Sequence, residues 1–257
     1  MIKKNNIDDI AVVIMAAGKG KRMRSDIPKV LHKVGKRPMI EYIIKTVKTL
    51  NPEKIIVVIG HKGEMLADFL KPYQVQFVWQ RELLGTGHAV LQTRNLLSDF
   101  EGTILVLCGD VPFLRVQTVK DLIQTHQQTN AVASVLTALL QDPRGYGRVI
   151  RGKDDSVEKI VEDKDASPEE RKEKEINSGT YCFDSRFMFK ALDQVKNENE
   201  QGEYYLTDAV KILRKSNHKV SAFRAKNPQE TMGINSLAQL QQMERLLANG
   251  KINVDVL

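Results

Sequence analysis

The 257-residue chain has only two cysteines, Cys108 and Cys182, one tryptophan and five histidines. Two cysteines far apart and without C-x-x-C spacing build no disulfide framework and fit a reducing compartment. No H-x-x-x-H pair or Cys/His cluster occurs, which argues against a zinc site. Long apolar runs are also missing. The run that follows the polar residues 1–9 is too short for a transmembrane helix and has no cleavage-like ending, so a cytoplasmic protein without a membrane partner is expected. Two familiar glycine loops fail as well. A dinucleotide fingerprint needs a third glycine where Met23 stands and an acid after the second strand, where the chain has Gly60 and His61. The G-x-x-x-x-G-K-[ST] phosphate loop does not occur.

What the chain has in excess is positive charge, and in one place. The net charge is +7; residues 1–38 carry ten Lys/Arg against three Asp, whereas the remainder balances 29 against 29. A local excess of this kind suits an anionic small ligand better than a nucleic-acid surface spread over a whole face. With 42% hydrophobic residues the chain can bury a substantial core.

Residues 11–32, A-V-V-I-M-A-A-G-K-G-K-R-M-R-S-D-I-P-K-V-L-H, explain where that charge is used. The apolar run through Met15 reads as a buried parallel strand feeding a loop of small residues. Gly18 and Gly20 let the backbone approach a ligand, while Lys19, Lys21, Arg22, Arg24 and Lys29 surround it with cations. This is a polyphosphate cradle in which Arg22 can grip terminal phosphates.

Strand and helix signals then alternate. A helix is expected over 38–50, strands over 54–60, 75–79, 103–108 and 131–138, and helices over 64–71, 87–97 and 116–128. The pattern predicts an α/β fold with a mostly parallel, doubly wound sheet, whose ligands gather at the carboxyl ends of the strands. After about residue 140 the rhythm changes. Two short strands (145–150, 156–162), a charged exposed excursion (163–175), a strand (176–183), helices at 186–195 and 204–216, and a last helix over 236–248 ending at Gly250 are expected. No internal repeat is present.

Candidate chemistry lies at strand ends. Asp110 follows the apolar run Leu105–Cys108 and Gly109; a single carboxylate beside phosphate oxygens suits Mg²⁺, which keeps waters and needs few protein ligands. Gln80 follows Trp79 and precedes L-G-T-G-H-A. Its amide can pair with the imide edge of uracil, and Thr86 or Gly87 can equally serve as an ordinary helix cap.

The motifs M-A-A-G-K-G-K-R-M, S-D-I-P-K-V-L-H, Gln80 with G-T-G-H-A, C-G-D-V-P, D-P-R-G-Y-G-R, I-V-E-D-K-D-A, E-I-N-S-G, G-E-Y-Y-L-T-D and G-I-N-S occur in one order. Over residues 10–245 the chain therefore resembles the uridylyltransferase (pyrophosphorylase) domain of the bacterial bifunctional N-acetylglucosamine-1-phosphate uridylyltransferase/acetyltransferases, the GlmU family. The resemblance implies a Rossmann-like nucleotide-diphospho-sugar transferase fold: one nucleotidyltransferase domain over 1–250, with a nucleotide-binding half (about 1–140), a smaller sugar-binding lobe (about 141–235) and a carboxyl-terminal helix and tail (236–257).

It also implies site residues. Met15, Ala16, Ala17, Gly18, Gly20 and Lys29 line the nucleotide, as do Cys108, Gly109 and Asp110. Gln80, Gly85 and Thr86 recognise uridine, and Gly147, Glu162, Asn177 and Asn235 hold the amino-sugar. Asp110 and Asn235 bind Mg²⁺. The implied reaction joins UTP and N-acetylglucosamine-1-phosphate to give UDP-N-acetylglucosamine, a peptidoglycan precursor, and pyrophosphate, with Arg22, Lys29 and Asp110 as catalytic groups. No nucleic-acid partner is implied. Cys108 stands where tyrosine is frequent in the family, and a thiol there suggests sensitivity to oxidation. The family's acetyltransferase half, a left-handed β-helix of hexapeptide repeats, is not found before Leu257, so neither acetyl transfer nor that half's trimer contacts are expected of these residues. Another sugar-1-phosphate with UTP or dTTP, and a non-catalytic nucleotide-binding module, remain alternative readings.

Overall fold

The computed structural model of the protein describes residues 9–250 and 252; the polar stretch before Asp9 and the rest of the tail past Gly250 lie outside it. In chain order its main elements are β1 (Ile10–Met15), β2 (Lys33–Val34), β3 (Arg37–Pro38), α1 (Met39–Lys48), β4 (Lys54–Ile59), α2 (Gly63–Leu70), β5 (Gln76–Trp79), α3 (Thr86–Leu91), β6 (Thr103–Cys108) and α4 (Val116–Thr129). They continue with β7 (Ala133–Leu139), β8 (Arg148–Arg151), β9 (Val157–Val161), β10 (Glu175–Asp184), α5 (Ser185–Leu192), α6 (Leu206–Lys215), β11 (Val220–Arg224) and α7 (Leu237–Ala248).

The central sheet runs β11-β7-β10-β6-β1-β4-β5, with the β8–β9 hairpin attached to β10. Strands β6, β1, β4 and β5 are mutually parallel, as are β7 and β11; β10 enters between β6 and β7 antiparallel to both. The sheet is therefore mixed and mostly parallel. Helices cover both faces, which is why β1 and β6 are apolar on both sides: Ala11 and Val13 join one core, while Ile10, Val12 and Ile14 join the other. Each valine or isoleucine among them, taken fully out of water, contributes roughly 1.5 to 3 kcal/mol.

The expected helix over 38–50 is α1. It starts directly after Pro38, buries Met39, Ile40, Ile43, Ile44 and Val47, and is followed by Asn51 in a left-handed conformation ahead of Pro52. The helix expected over 87–97 is shorter: α3 stops at Leu91 and a separate single turn occupies Arg94–Leu96. The charged stretch 163–175 forms one turn at Glu170–Lys172, held by a Lys159–Glu170 ion pair at 2.7 Å.

Glu175 ends that stretch and is buried. Its carboxylate accepts from Arg151 (2.6 and 2.8 Å), Thr137 (2.6 Å) and Arg224 (3.2 Å), tying β10 to β8, β7 and β11. A third, smaller core forms where α7 packs on Val34, Met39 and Phe113. Among the described residues no helix is long and apolar enough to cross a membrane.

Candidate functional site

The carboxyl ends of β1, β5 and β6 open on one cleft of about 480 Å³, lined among others by Met15, Ala17, Gly18, Lys29, Gln80, Thr86, Cys108 and Asp110. β1 continues one residue past its last pair, Ala16 donating to the Val58 carbonyl at 2.9 Å, before the chain turns into the glycine loop. At Gly20, with φ of 57°, a Cβ would stand 2.8 Å from the Lys29 Cβ; glycine is what lets the loop close down on Lys29. A Cβ on Gly18 would meet nothing within 4 Å, so that glycine faces open cleft.

The single turn Lys21–Met23 buries Met23 and leaves Lys21, Arg22 and Arg24 exposed. Arg22 is not among the lining residues of the cleft, whereas Lys19 and Lys21 are. Lys62, at the start of α2, tethers the loop by donating to the Asp26 carbonyl at 2.5 Å and pairing with its carboxylate at 3.3 Å.

Lys29 is the point of convergence. Its ammonium donates to Asp110 Oδ2 at 2.5 Å and to Asn235 Oδ1 at 2.8 Å, although the three residues come from the loop after β1, the end of β6 and the start of α7. Backbone hydrogen bonds fix the two oxygens: Ile234 donates to the Asp110 carbonyl at 2.9 Å and Asn235 to Gln239 Oε1 at 2.8 Å, while Ser236 caps α7. A carboxylate and an amide oxygen sharing one cation form a hard-oxygen pair, and such a pair fits Mg²⁺ provided phosphate oxygens or waters complete the shell. Among the described residues no cluster of three or more His, Cys, Asp or Glu could hold a metal alone.

Beside α3, Gln80 is 4% exposed and its Nε2 donates to the Gly85 carbonyl at 2.9 Å. Gly85 has φ of 107°, and a Cβ there would lie 2.6 Å from the Tyr204 carbonyl oxygen. The G-E-Y-Y-L-T-D segment docks here: Tyr204 N donates to the Leu84 carbonyl and Gly87 N to the Tyr204 carbonyl, both at 2.7 Å. Thr86 does not cap its own helix. Its hydroxyl accepts from Leu206 N at 2.9 Å, capping α6 from across the cleft, and Gly85 is the N-cap of α3. Gly85→Ala is accordingly expected to cost about 2 to 4 kcal/mol, from strain plus the clash, and to raise KM for the nucleotide; thermal unfolding and steady-state kinetics check both.

On the opposite side, Gly147, Glu162 and Asn177 come together. Asn177 N donates to the Gly147 carbonyl at 2.9 Å, and a Cβ on Gly147 would meet Glu162 Oε2 at 3.5 Å. Burial pushes the Glu162 carboxyl above the ordinary range, opposed by the Thr207 hydroxyl that donates to it at 3.1 Å and aided by the Asp165 and Asp208 charges. Between Asn177 and Tyr181 the pairing of β10 with β7 shifts register, a bulge beside the site. Gly179, inside it, has φ of 79°, and a Cβ there would press on Cys108 Sγ at 2.5 Å, so both backbone and space call for glycine. Cys108 itself donates weakly to the Gly179 carbonyl at 3.5 Å. Burial first, then the Asp110 charge, pushes its thiol up to about 12, so it is held as the neutral, less oxidisable form.

A second hollow of about 520 Å³ lies at the far end of the sheet, by Thr103, His126 and Asp184. Its His126 is buried against Ser134 at 2.9 Å, and burial pulls that imidazole down to about 4; it has no glycine loop and no converging oxygens. Three residues around this cleft make contacts not read from the sequence: Lys62 with Asp26, His88 with Gln80, and Thr207 with Glu162. His88 and Thr207 stand inside the motifs G-T-G-H-A and L-T-D, which were the available signal.

A mixed α/β sheet whose rim gathers loop cations and fixed oxygens around one cleft defines a nucleotide-binding α/β protein. The profile of the nucleotidyl transferase family matches residues 11–240, and the chain belongs to that family. The chain is 46% identical over 237 residues to the bifunctional protein GlmU of Bacillus cereus (strain AH187) and, at the same identity and length, to that of Bacillus thuringiensis (strain Al Hakam). The match takes in 92% of this chain and 51% of each relative, so the chain spans about half the length of the curated relatives it matches. In fold it resembles a UDP-glucose pyrophosphorylase solved with UDP-glucose, at a TM-score of 0.76 and 18% identity over 95% of this chain and 99% of that one.

Proposed function

We propose that the protein is a Mg²⁺-dependent uridylyltransferase that converts UTP and N-acetylglucosamine-1-phosphate to UDP-N-acetylglucosamine and pyrophosphate, a cytoplasmic step toward peptidoglycan. The observation that carries this reading is the meeting of Lys29, Asp110 and Asn235 at one point of the cleft. A phosphate oxygen of the sugar-1-phosphate attacks the α-phosphorus of UTP in line. The bond to the bridging oxygen breaks, and pyrophosphate leaves with that electron pair; no covalent enzyme intermediate is required.

The chain's own groups hold two polyanions together and offset charge as it moves. Met15 to Gly18 pack along the nucleotide, with the Gly20 backbone keeping the loop closed over Lys29. Gln80, Gly85 and Thr86 read the base. Gly147, Glu162 and Asn177 hold the amino-sugar, Glu162 being oriented by Thr207. Lys29 stabilises charge on the α-phosphoryl group, and the loop cations, Arg22 among them, neutralise the departing pyrophosphate. Asp110 and Asn235 would hold Mg²⁺, which supplies Lewis-acid neutralisation of phosphate oxygens.

A panel of sugar-1-phosphates against UTP, CTP and dTTP, read by pyrophosphate release with and without Mg²⁺, tests the reading. UTP with N-acetylglucosamine-1-phosphate should be turned over fastest, and chelation of the metal should abolish release. A preference for dTTP with a different hexose phosphate, or undiminished release in chelator, would overturn it.

A further inference from the structure

We propose that His88 is a specificity-determining residue: its Nδ1 fixes the Gln80 amide with the oxygen toward the base, so that the cleft takes an imide base, uracil or thymine, and rejects cytosine. The inference rests on reading the cleft as a nucleotide site. It concerns a side chain to which neither the motifs nor the comparisons give a role.

Gln80 is nearly enclosed, so the two faces of its amide cannot exchange freely with water. Its Nε2 has two hydrogens and two neighbours able to receive them, the Gly85 carbonyl at 2.9 Å and His88 Nδ1 at 3.2 Å. With both hydrogens spent on the protein, the atom left to face the cleft is Oε1, an acceptor. Uracil presents N–H at the centre of its pairing edge and is received; cytosine presents a bare ring nitrogen there and meets the oxygen lone pairs.

Gly85 does not set this orientation alone, because a flipped amide would turn its oxygen to His88 and be received there if Nδ1 presented a hydrogen. The ring's tautomer therefore matters. A neutral imidazole has one lone-pair nitrogen, yet His88 has an amide nitrogen at each end: Gln80 at Nδ1, and Gln92 Nε2 at 3.1 Å from its own Nε2. The two demands conflict, and burial decides between them. Gln92 already donates to the His88 backbone carbonyl at 3.0 Å and lies in a more open place, whereas Gln80 is 4% exposed and has no substitute for the lost partner. The favoured state carries the hydrogen on Nε2 and leaves Nδ1 to accept from Gln80. The Tyr204 ring lies beside the imidazole, tilted by 37° with the two ring centroids 6.4 Å apart.

The test compares wild type with His88→Asn, whose Oδ1 stands in the place of Nδ1 as an acceptor, and with His88→Leu, which has none. UTP and CTP affinities are measured by titration calorimetry, and pyrophosphate release with each sugar-1-phosphate is followed in parallel; His88→Phe replaces the leucine variant should that one not fold. The UTP-to-CTP affinity ratio is expected to fall about tenfold in His88→Leu, the loss of one orienting hydrogen bond, and to be restored in His88→Asn, with KM for the sugar phosphate unchanged in both. An unchanged ratio in His88→Leu, or an equal loss in both variants, overturns the proposal. So does a wild type that binds UTP and CTP alike. A wild type that selects UTP and loses that selection in His88→Leu, but releases no pyrophosphate with any sugar phosphate, would sink the transferase reading and sustain the role of His88.

Discussion

Replacing Lys29 by alanine should lower kcat about 10² to 10³-fold, or about 3 to 4 kcal/mol of transition-state stabilisation, while KM for UTP changes far less. The asymmetry follows from what the ammonium does in the free protein. It is already engaged by Asp110 at 2.5 Å and Asn235 at 2.8 Å, so binding the nucleotide exchanges one set of oxygens for another and gains little. Charge that builds on the α-phosphoryl group during transfer meets a cation already desolvated and in position, which is where such a group is worth most. Steady-state kinetics with saturating sugar phosphate separate the two parameters. Turnover equal to that of the wild type would remove Lys29 from catalysis, and a rise confined to KM would reduce it to a binding contact.

Glu175→Ala should be the most damaging single change to stability, costing about 3 kcal/mol or more, because removing one member of a buried ion network leaves its partners uncompensated. Arg151 would lose two charge-assisted hydrogen bonds and Arg224 one; the partial exposure of Arg224 lets water recover some of the loss. The pH dependence has a definite sign. Burial alone would raise the Glu175 carboxyl, but hydrogen bonds from Arg151 and Thr137 and the charges of Arg151 and Arg224 outweigh it and hold it below the ordinary range. A carboxyl lowered on folding stabilises at pH above its unfolded value, and that stability is lost as pH falls through the lowered folded value. The gap in unfolding free energy between wild type and Glu175→Ala should therefore be widest near neutrality and narrow in acid below the ordinary glutamate pKa. Denaturant unfolding at several pH values measures it, and a gap independent of pH would contradict the assignment.

The amino-terminal half of the molecule was the more legible because its information is local. An apolar strand, a glycine loop and a strand-terminal carboxylate at Asp110 each announce themselves within a few residues, and the helix stripe of α1 does the same. The antiparallel entry of β10 between β6 and β7 was not legible, since a strand buried on both faces reads alike in either direction. β11 was missed altogether: Val220-Ser-Ala-Phe-Arg is short and offers only weak alternation after a basic helix. The β2–β3 hairpin rests on two residue pairs around Gly35, whose φ of 61° makes the turn that its sequence only hints at. Nothing local could join Asn235 to Lys29, because that meeting depends on α7 returning to the rim, and the anchoring of Gln80 by His88 depends likewise on where a helix is delivered. Only the ordered set of motifs carried such long-range information.

The reversed course of β10 bears on how the chain is made as well as on how it works. From the moment Cys108 leaves the ribosome until Glu175 to Asp184 follow it, one side of β6 has backbone N–H and C=O groups with no strand to receive them, on a segment reading T-I-L-V-L-C. Bare apolar edges of this kind template contact between molecules. The last strand to enter the middle of the sheet is also the one that brings Gly179 beside Cys108 and Asn177 to Gly147, so this part of the site and the protection of the nascent sheet arrive together.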